Sequence, residues 1–129
     1  MIKLTDIKHI YFIGIGGIGM SALARYFVSL GINVSGYDKA SSPLTQQLER
    51  EGMSIHYVDD IDLAPKDVQV VVFTPAIPAQ HTELQFYKKE GYSVLKRSDV
   101  LQLISEYAFN ICVAGTHGKT TISTMIAHL

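Results

Sequence analysis

Two glycine-rich stretches hold the residues of this chain best suited to chemistry. Gly14-Ile15-Gly16-Gly17-Ile18-Gly19 follows an apolar run near the start of the 129 residues, and Gly115-Thr116-His117-Gly118-Lys119-Thr120-Thr121 follows another near the end. Both patterns suit phosphate. Glycines let the backbone come close to an anion, and a helix starting just after them adds free N–H groups and a partial positive charge. In the first turn, Gly14 permits the sharp exit from a strand, Gly16 keeps a side chain away from a pyrophosphate, and Gly19 lets the helix pack against the strand. Asp38 lies nineteen residues after Gly19, where a dinucleotide site places a ribose-binding carboxylate. A capping role is the plain alternative for Asp38. The pattern points to a nucleotide diphosphate without saying which one.

The second stretch is more discriminating. Backbone N–H groups of Gly115, Thr116, His117, Gly118 and Thr121 can wrap a polyphosphate, Lys119 can reach the β and γ phosphates, and the Thr120 hydroxyl can bind Mg²⁺. His117 either touches phosphate or fills an exposed loop. The spacing departs from the general phosphate-loop pattern, which has four residues between its glycines: Val113 stands where the first would fall, and Gly115 is only three residues before Gly118. A short G-T-x-G-K-T-T loop therefore calls for a narrower family.

The elements that must position these loops alternate. Residues 8–14 read as a strand running into the glycines. Residues 18–30 carry apolar side chains at helical spacing (Met20, Leu23, Ala24, Phe27, Leu30), and Gly31 caps them. A strand is expected over 33–37, a helix from Ser42-Pro43 to Glu51, and strands over 54–57 and 68–74. The chain continues with a helix over 82–89, a strand over 93–96, a helix from Ser98-Asp99 to about Tyr107, and a last strand over 110–114 that feeds the second loop. This succession predicts a Rossmann-like, doubly wound parallel sheet with helices on both faces. A domain boundary near Ala108-Phe109 follows, with residues 1–108 as one domain and 109–129 as the first strand and phosphate loop of a truncated second one. The connection over 58–66, with Asp59, Asp60, Asp62 and Pro65, reads as a surface loop without evident chemistry.

Composition narrows the classes. A hydrophobic fraction of 47% is ordinary for a globular protein, and a net charge of −1 provides no basic field for nucleic acid or an anionic membrane surface. The apolar runs are strand-sized, far below a membrane span, and the N-terminus has no apolar signal-peptide core. A cytoplasmic protein is expected. The lone Cys112 reads as a small buried hydrophobe. His9, His56, His81 and His128 lack metal-ligand spacing and receive no role.

The motifs together resemble those of the Mur ligases, specifically the L-alanine-adding branch. The resemblance rests on Gly14-Ile-Gly-Gly-Ile-Gly-Met-Ser21, Ser35-Gly-Tyr-Asp38 with Gln46-Gln47-Leu48, Thr74-Pro-Ala-Ile77, Lys96-Arg97-Ser98-Asp99-Val100-Leu101 and Ala114-Gly-Thr-His-Gly-Lys-Thr-Thr121. It covers nearly the whole chain, in family order. It implies that this is the N-terminal, UDP-N-acetylmuramate-binding part of an ATP- and Mg²⁺-dependent enzyme of peptidoglycan biosynthesis. That enzyme would activate the lactyl carboxylate as an acyl phosphate and join L-alanine to it. The resemblance places the pyrophosphate over Gly16, Gly17, Ile18 and Gly19, with Asp38 a candidate for the ribose or uracil edge, a Thr74 hydroxyl for the uridine, and Gly14 and Ala76 also in the UDP-sugar site. Arg97 would meet phosphate or carboxylate, or stay a surface cation. Lys119 and Thr120 would serve the phosphoryl transfer, and the chain alone is expected to be inactive. Two other readings remain: a ligase of the same family that joins preformed peptide in wall recycling, and a nicotinamide-binding Rossmann module.

Overall fold

A computed structural model describes residues 2–114. Five parallel strands form one sheet: β1 (His9–Ile13), β2 (Asn33–Tyr37), β3 (Ser54–His56), β4 (Val70–Phe73) and β5 (Ser93–Lys96), in the order β3-β2-β1-β4-β5. Helices α1 (Ile18–Ser29), α2 (Pro43–Arg50), α3 (Thr82–Lys89) and α4 (Arg97–Ala114) cover it, after a single 3₁₀ turn at Leu4–Asp6. The two central strands, β1 and β4, are neighbours in the sheet but distant in sequence. The chain thus winds outward in one direction through β2 and β3, and in the other through β5. Such a reversal opens a crevice at the carboxyl ends of the central strands.

Side-chain parity builds a core on each face. Ile10, Phe12, Val70 and Val72 point to one face, where they meet Met20, Leu23 and Phe27 of α1, Leu48 of α2, and Val100 and Ile104 of α4. Tyr11, Ile13 and Val71 point to the other, where Leu84 and Tyr87 of α3 and Ala64 and Val68 of the β3–β4 connection cover them. Strands buried on both sides read as continuous apolar runs, and these do.

Local signals set the helix ends. Ser42 accepts a hydrogen bond from Thr45 N at 3.2 Å and Pro43 opens α2. Gly31, Gly52 and Gly91 each follow a helix with positive φ, at 80°, 104° and 81°.

Residues 110–114 differ from the expected strand: they continue α4. A strand needs a neighbour to take its N–H and C=O groups, whereas a helix satisfies its own. Among the described residues no strand lies beside this segment, so the helical alternative prevails over the β-type side chains of Ile111 and Val113. The second glycine loop (Gly115, Thr116, His117, Gly118, Lys119, Thr120, Thr121) lies outside the described residues.

Candidate nucleotide site at the carboxyl edge of the sheet

The first glycine turn joins β1 to α1 at the crevice. Gly14, at φ 95°, makes the turn, and its N–H and that of Ile15 both donate to Tyr37 O, at 2.7 and 3.0 Å. Ser21 N–H is the first to find an acceptor down the helix, Gly17 O at 2.8 Å. The N–H groups of Ile18, Gly19 and Met20 thereby remain free at the positive end of α1.

Asp38 and Arg97 flank this end in different ways. Asp38 Oδ2 accepts a hydrogen bond from Gly16 N at 2.7 Å, so the carboxylate just after β2 braces the turn itself. A Cβ at Gly16 would stand 2.5 Å from that oxygen and 2.9 Å from Thr45 Cγ2. The space freed by this glycine is therefore taken by the protein's own side chains. At Gly19 the three nearest atoms a Cβ would meet all belong to Arg97, and the guanidinium Nη1 would overlap it outright. Gly19 thus makes room for a cation, not for a strand. Arg97 is exposed and lies against Gly19, in the first turn of α1. Two positive features placed together disfavour each other unless an anion lies between them.

The expected site residues fall into two hollows. Gly14, Gly17, Asp38, Thr74 and Ala76 line a cavity of about 510 Å³ between the ends of β1, β2 and β4. Gly19 and Arg97 line a hollow of about 460 Å³ between α1 and α4. Gly16, half-buried, has its N–H taken by Asp38, and Ile18, 87% exposed, caps the ridge of α1. A larger hollow of about 690 Å³ lies at the opposite end of the sheet, by His9, Asn33 and Val28. It sits at the carboxyl end of α1, whose partial negative charge repels phosphate, so volume alone does not define the site.

Three residues given no role by sequence line or brace the first cavity. His81 and Asp59 are part of its wall. Asp59 accepts from the N–H groups of Thr82 at 2.8 Å and Glu83 at 3.0 Å, capping α3 from the β3–β4 connection. Burial pushes its carboxyl up, but those two N–H groups and the nearby His81 outweigh that, and it ends below the usual carboxylate range. Behind this wall Glu83 is fully buried. It accepts from the Tyr11 hydroxyl and from Asp60 N at 3.0 Å, and meets His56 Nε2 at 2.7 Å. Burial, with the adjoining Glu83, drives the Tyr11 hydroxyl far above its ordinary range and keeps it protonated. The loop over 58–66 is therefore tied to α3 and to the sheet. His56 and Glu83 sit 27 residues apart, and no local pattern announces such a pairing. Only the acidic run in an otherwise plain loop hinted at it.

A five-stranded parallel sheet with a phosphate-type glycine turn at its switch point defines a Rossmann-like α/β domain. Residues 9–108 match the family model "Mur ligase family, catalytic domain". The chain belongs to the Mur ligase family. It is 53% identical over 127 residues to UDP-N-acetylmuramate–L-alanine ligase of Porphyromonas gingivalis, covering 95% of this chain and 28% of that protein. It is also 53% identical to the ligase of the same name from Cytophaga hutchinsonii, over 98% of this chain and 28% of that one. The chain thus spans little more than a quarter of these relatives. Among solved structures, UDP-N-acetylmuramate-alanine ligase MurC of Thermotoga maritima superposes with a TM-score of 0.73 at 29% identity, covering 79% of this chain and 23% of that one. A murein peptide ligase from Psychrobacter arcticus gives 0.67 at 27% identity, over 77% and 20%.

Proposed function

We propose that this chain is the UDP-N-acetylmuramate-holding part of an ATP-dependent ligase that adds L-alanine in peptidoglycan biosynthesis. One observation carries the reading: the N–H groups of Ile18, Gly19 and Met20 find no backbone acceptor at the start of α1, Arg97 lies against Gly19, and the glycine turn opens into a cavity edged by Asp38 and Thr74. A diphosphate there would receive backbone hydrogen bonds and a charge-assisted pair from Arg97. Its ribose would lie toward the free oxygen of Asp38, and its sugar would lead away over α1. The names of the relatives supply the uridine sugar and the alanine. The wall-recycling ligases share the fold at similar TM-score, but the relatives at about half identity are alanine-adding.

The chemistry of such a ligase joins two reactants that do not combine unaided. A carboxylate is a poor acyl donor because oxide is a poor leaving group. Phosphorylation by ATP turns that oxygen into phosphate, which the alanine amine then displaces. This chain would hold the donor so that its carboxylate faces the incoming phosphoryl group. Lys119 and Thr120 would stabilise charge on the phosphates and hold Mg²⁺. Residues 1–108 would form the sugar-nucleotide domain and 109–129 the start of the ATP domain; the family match ends at residue 108. Among the described residues no helix is long and apolar enough to cross a membrane.

Titration with UDP-N-acetylmuramate, UDP and NAD, read by calorimetry and amide chemical shifts, tests the reading. Saturable binding of both uridine compounds is expected, with shifts at Gly17–Gly19 and Thr74. Binding of NAD alone would refute it.

A further inference from the structure

At the other end of the sheet, three side chains from distant segments form one chain of hydrogen bonds. Asp67 Oδ1 lies 3.1 Å from His9 Nδ1, and His9 Nε2 lies 2.7 Å from Ser35 Oγ. An ionised carboxylate only accepts, so Nδ1 carries the imidazole proton and donates it to Asp67. Nε2 of the neutral ring is then the acceptor, and the Ser35 hydroxyl donates to it. In such an arrangement the histidine can draw a proton from the serine while the carboxylate holds the ring.

The fold fixes this order. His9 pairs with Asn33 and Tyr11 with Ser35, so His9, Asn33 and Ser35 share one face of the sheet. Gln69 braces the other two links: its Oε1 accepts from the N–H groups of Lys8 and His9, both at 2.7 Å, and its Nε2 donates to Asp67 O at 3.3 Å. One side chain thereby holds the backbone of both the histidine and the aspartate.

All three residues line the hollow of about 690 Å³. Ser35 is 7% exposed, which keeps bulk water from it. Val28, Ile32, Leu63 and Pro65 give the same hollow an apolar wall that suits a short acyl chain. Asn33, and Ser54 as the register partner of Ser35 on β3, are exposed and bring an amide and a hydroxyl to the same face. Those are donors of the kind a developing oxyanion needs. The carboxyl end of α1 and the Asp67 carboxylate disfavour an anion, so the chemistry fits a neutral ester.

We propose that Asp67, His9 and Ser35 form a second, hydrolytic site that cleaves short neutral carboxylic esters, independent of the nucleotide crevice. Ser35 Oγ bonds to the ester carbonyl carbon as His9 Nε2 takes the hydroxyl proton. The carbon–alkoxide bond then breaks and His9 returns that proton to the departing alcohol. Water, deprotonated by His9, attacks the acyl-serine, releasing the acid and restoring Ser35.

The test joins covalent labelling to kinetics. Wild type, Ser35→Ala, His9→Gln and Asp67→Asn, each checked by urea unfolding, are treated with an alkyl fluorophosphonate, and the labelled peptide is identified by mass spectrometry. Label is expected on Ser35 in the folded wild type and not in wild type unfolded in urea. With p-nitrophenyl butyrate, Ser35→Ala and His9→Gln should each lower kcat/KM about a hundredfold, the low end of general-base catalysis. Asp67→Asn should lower it only about two- to fivefold, because that side chain is 83% exposed and screened by water. A folded wild type that takes up no label on Ser35, or labels there no faster than when unfolded, overturns the proposal and leaves the three residues a clasp between β1, β2 and the β3–β4 connection. Equal labelling of Ser35 in a folded His9→Gln variant overturns it as well. The labelling of wild type alone decides the matter if the His9 variant fails to fold.

Discussion

Substituting Gly19 separates two explanations of the same glycine. If Gly19 is needed for helix–strand packing, a methyl group there strains the backbone and the domain loses stability. The structure says otherwise: what an added Cβ meets is the end of an exposed, flexible arginine side chain. Gly19→Ala should therefore cost little in folding, and the better helix propensity of alanine should return roughly 0.5–1 kcal/mol. Thermal or urea unfolding should show stability unchanged or slightly raised. Binding should move the other way, because Arg97 is pushed from its place over the α1 N-terminus. A hydrogen bond between charged partners contributes about 1.5–3 kcal/mol, so UDP affinity should fall about ten- to a hundredfold. Arg97→Ala should fall by a similar amount. In the Arg97→Ala background, Gly19→Ala should then do almost nothing further, since the two act through one contact. Destabilisation by more than about 2 kcal/mol, or additive losses of affinity in the double variant, would refute this account.

Further predictions concern the walls of the cavity. Tyr11→Phe removes one donor from the buried Glu83 carboxylate and should cost about 1–3 kcal/mol in urea unfolding; a change below about 0.5 kcal/mol would show that the network contributes nothing. Asp59→Asn should weaken the α3 cap by about 1 kcal/mol at neutral pH. The sign with pH follows from the lowered Asp59 carboxyl. Its stabilisation is fully present above the unfolded carboxylate range near 4 and is lost as pH falls through the lower folded value. The gap between wild type and variant should therefore close only in strongly acidic solution; a gap that widens on acidification would contradict the assignment. Asp38→Asn keeps an acceptor for Gly16 N and should leave stability within about 0.5 kcal/mol, whereas Asp38→Ala strands that N–H and should cost about 1 kcal/mol more. Equal stabilities of the two variants would mean the brace is immaterial.

Much of this fold was legible because its signals are local. Helix α3 and strand β5 fall where the pattern of apolar residues and the closing Gly91 put them, and α2 begins on its Ser42-Pro43 cap. The apolar run ending in Phe73 could only be a strand buried on both faces. Where local signals conflict, reading by pattern failed: residues 110–114 have β-type side chains, yet with no neighbouring strand among the described residues they extend a helix. The single 3₁₀ turn at Leu4–Asp6 was too short to leave a period.

The site was legible only in part, for a reason that applies to any switch-point crevice. The glycine turn and Asp38 belong to one β–α–β unit, and their spacing is written into the chain. The opposite wall is assembled by the connection that crosses from β3 to β4 and by the other half of the winding. Asp59 comes from a loop after β3 and His81 from the cap of α3, and they meet only because α3 packs beside that loop. Their proximity is a consequence of topology and leaves no trace in spacing. A histidine just before a helix looks like an indifferent cap, since asparagine or serine would serve as well. What sets it apart is its burial against the Tyr37 ring, which appears only once both halves of the sheet are in place.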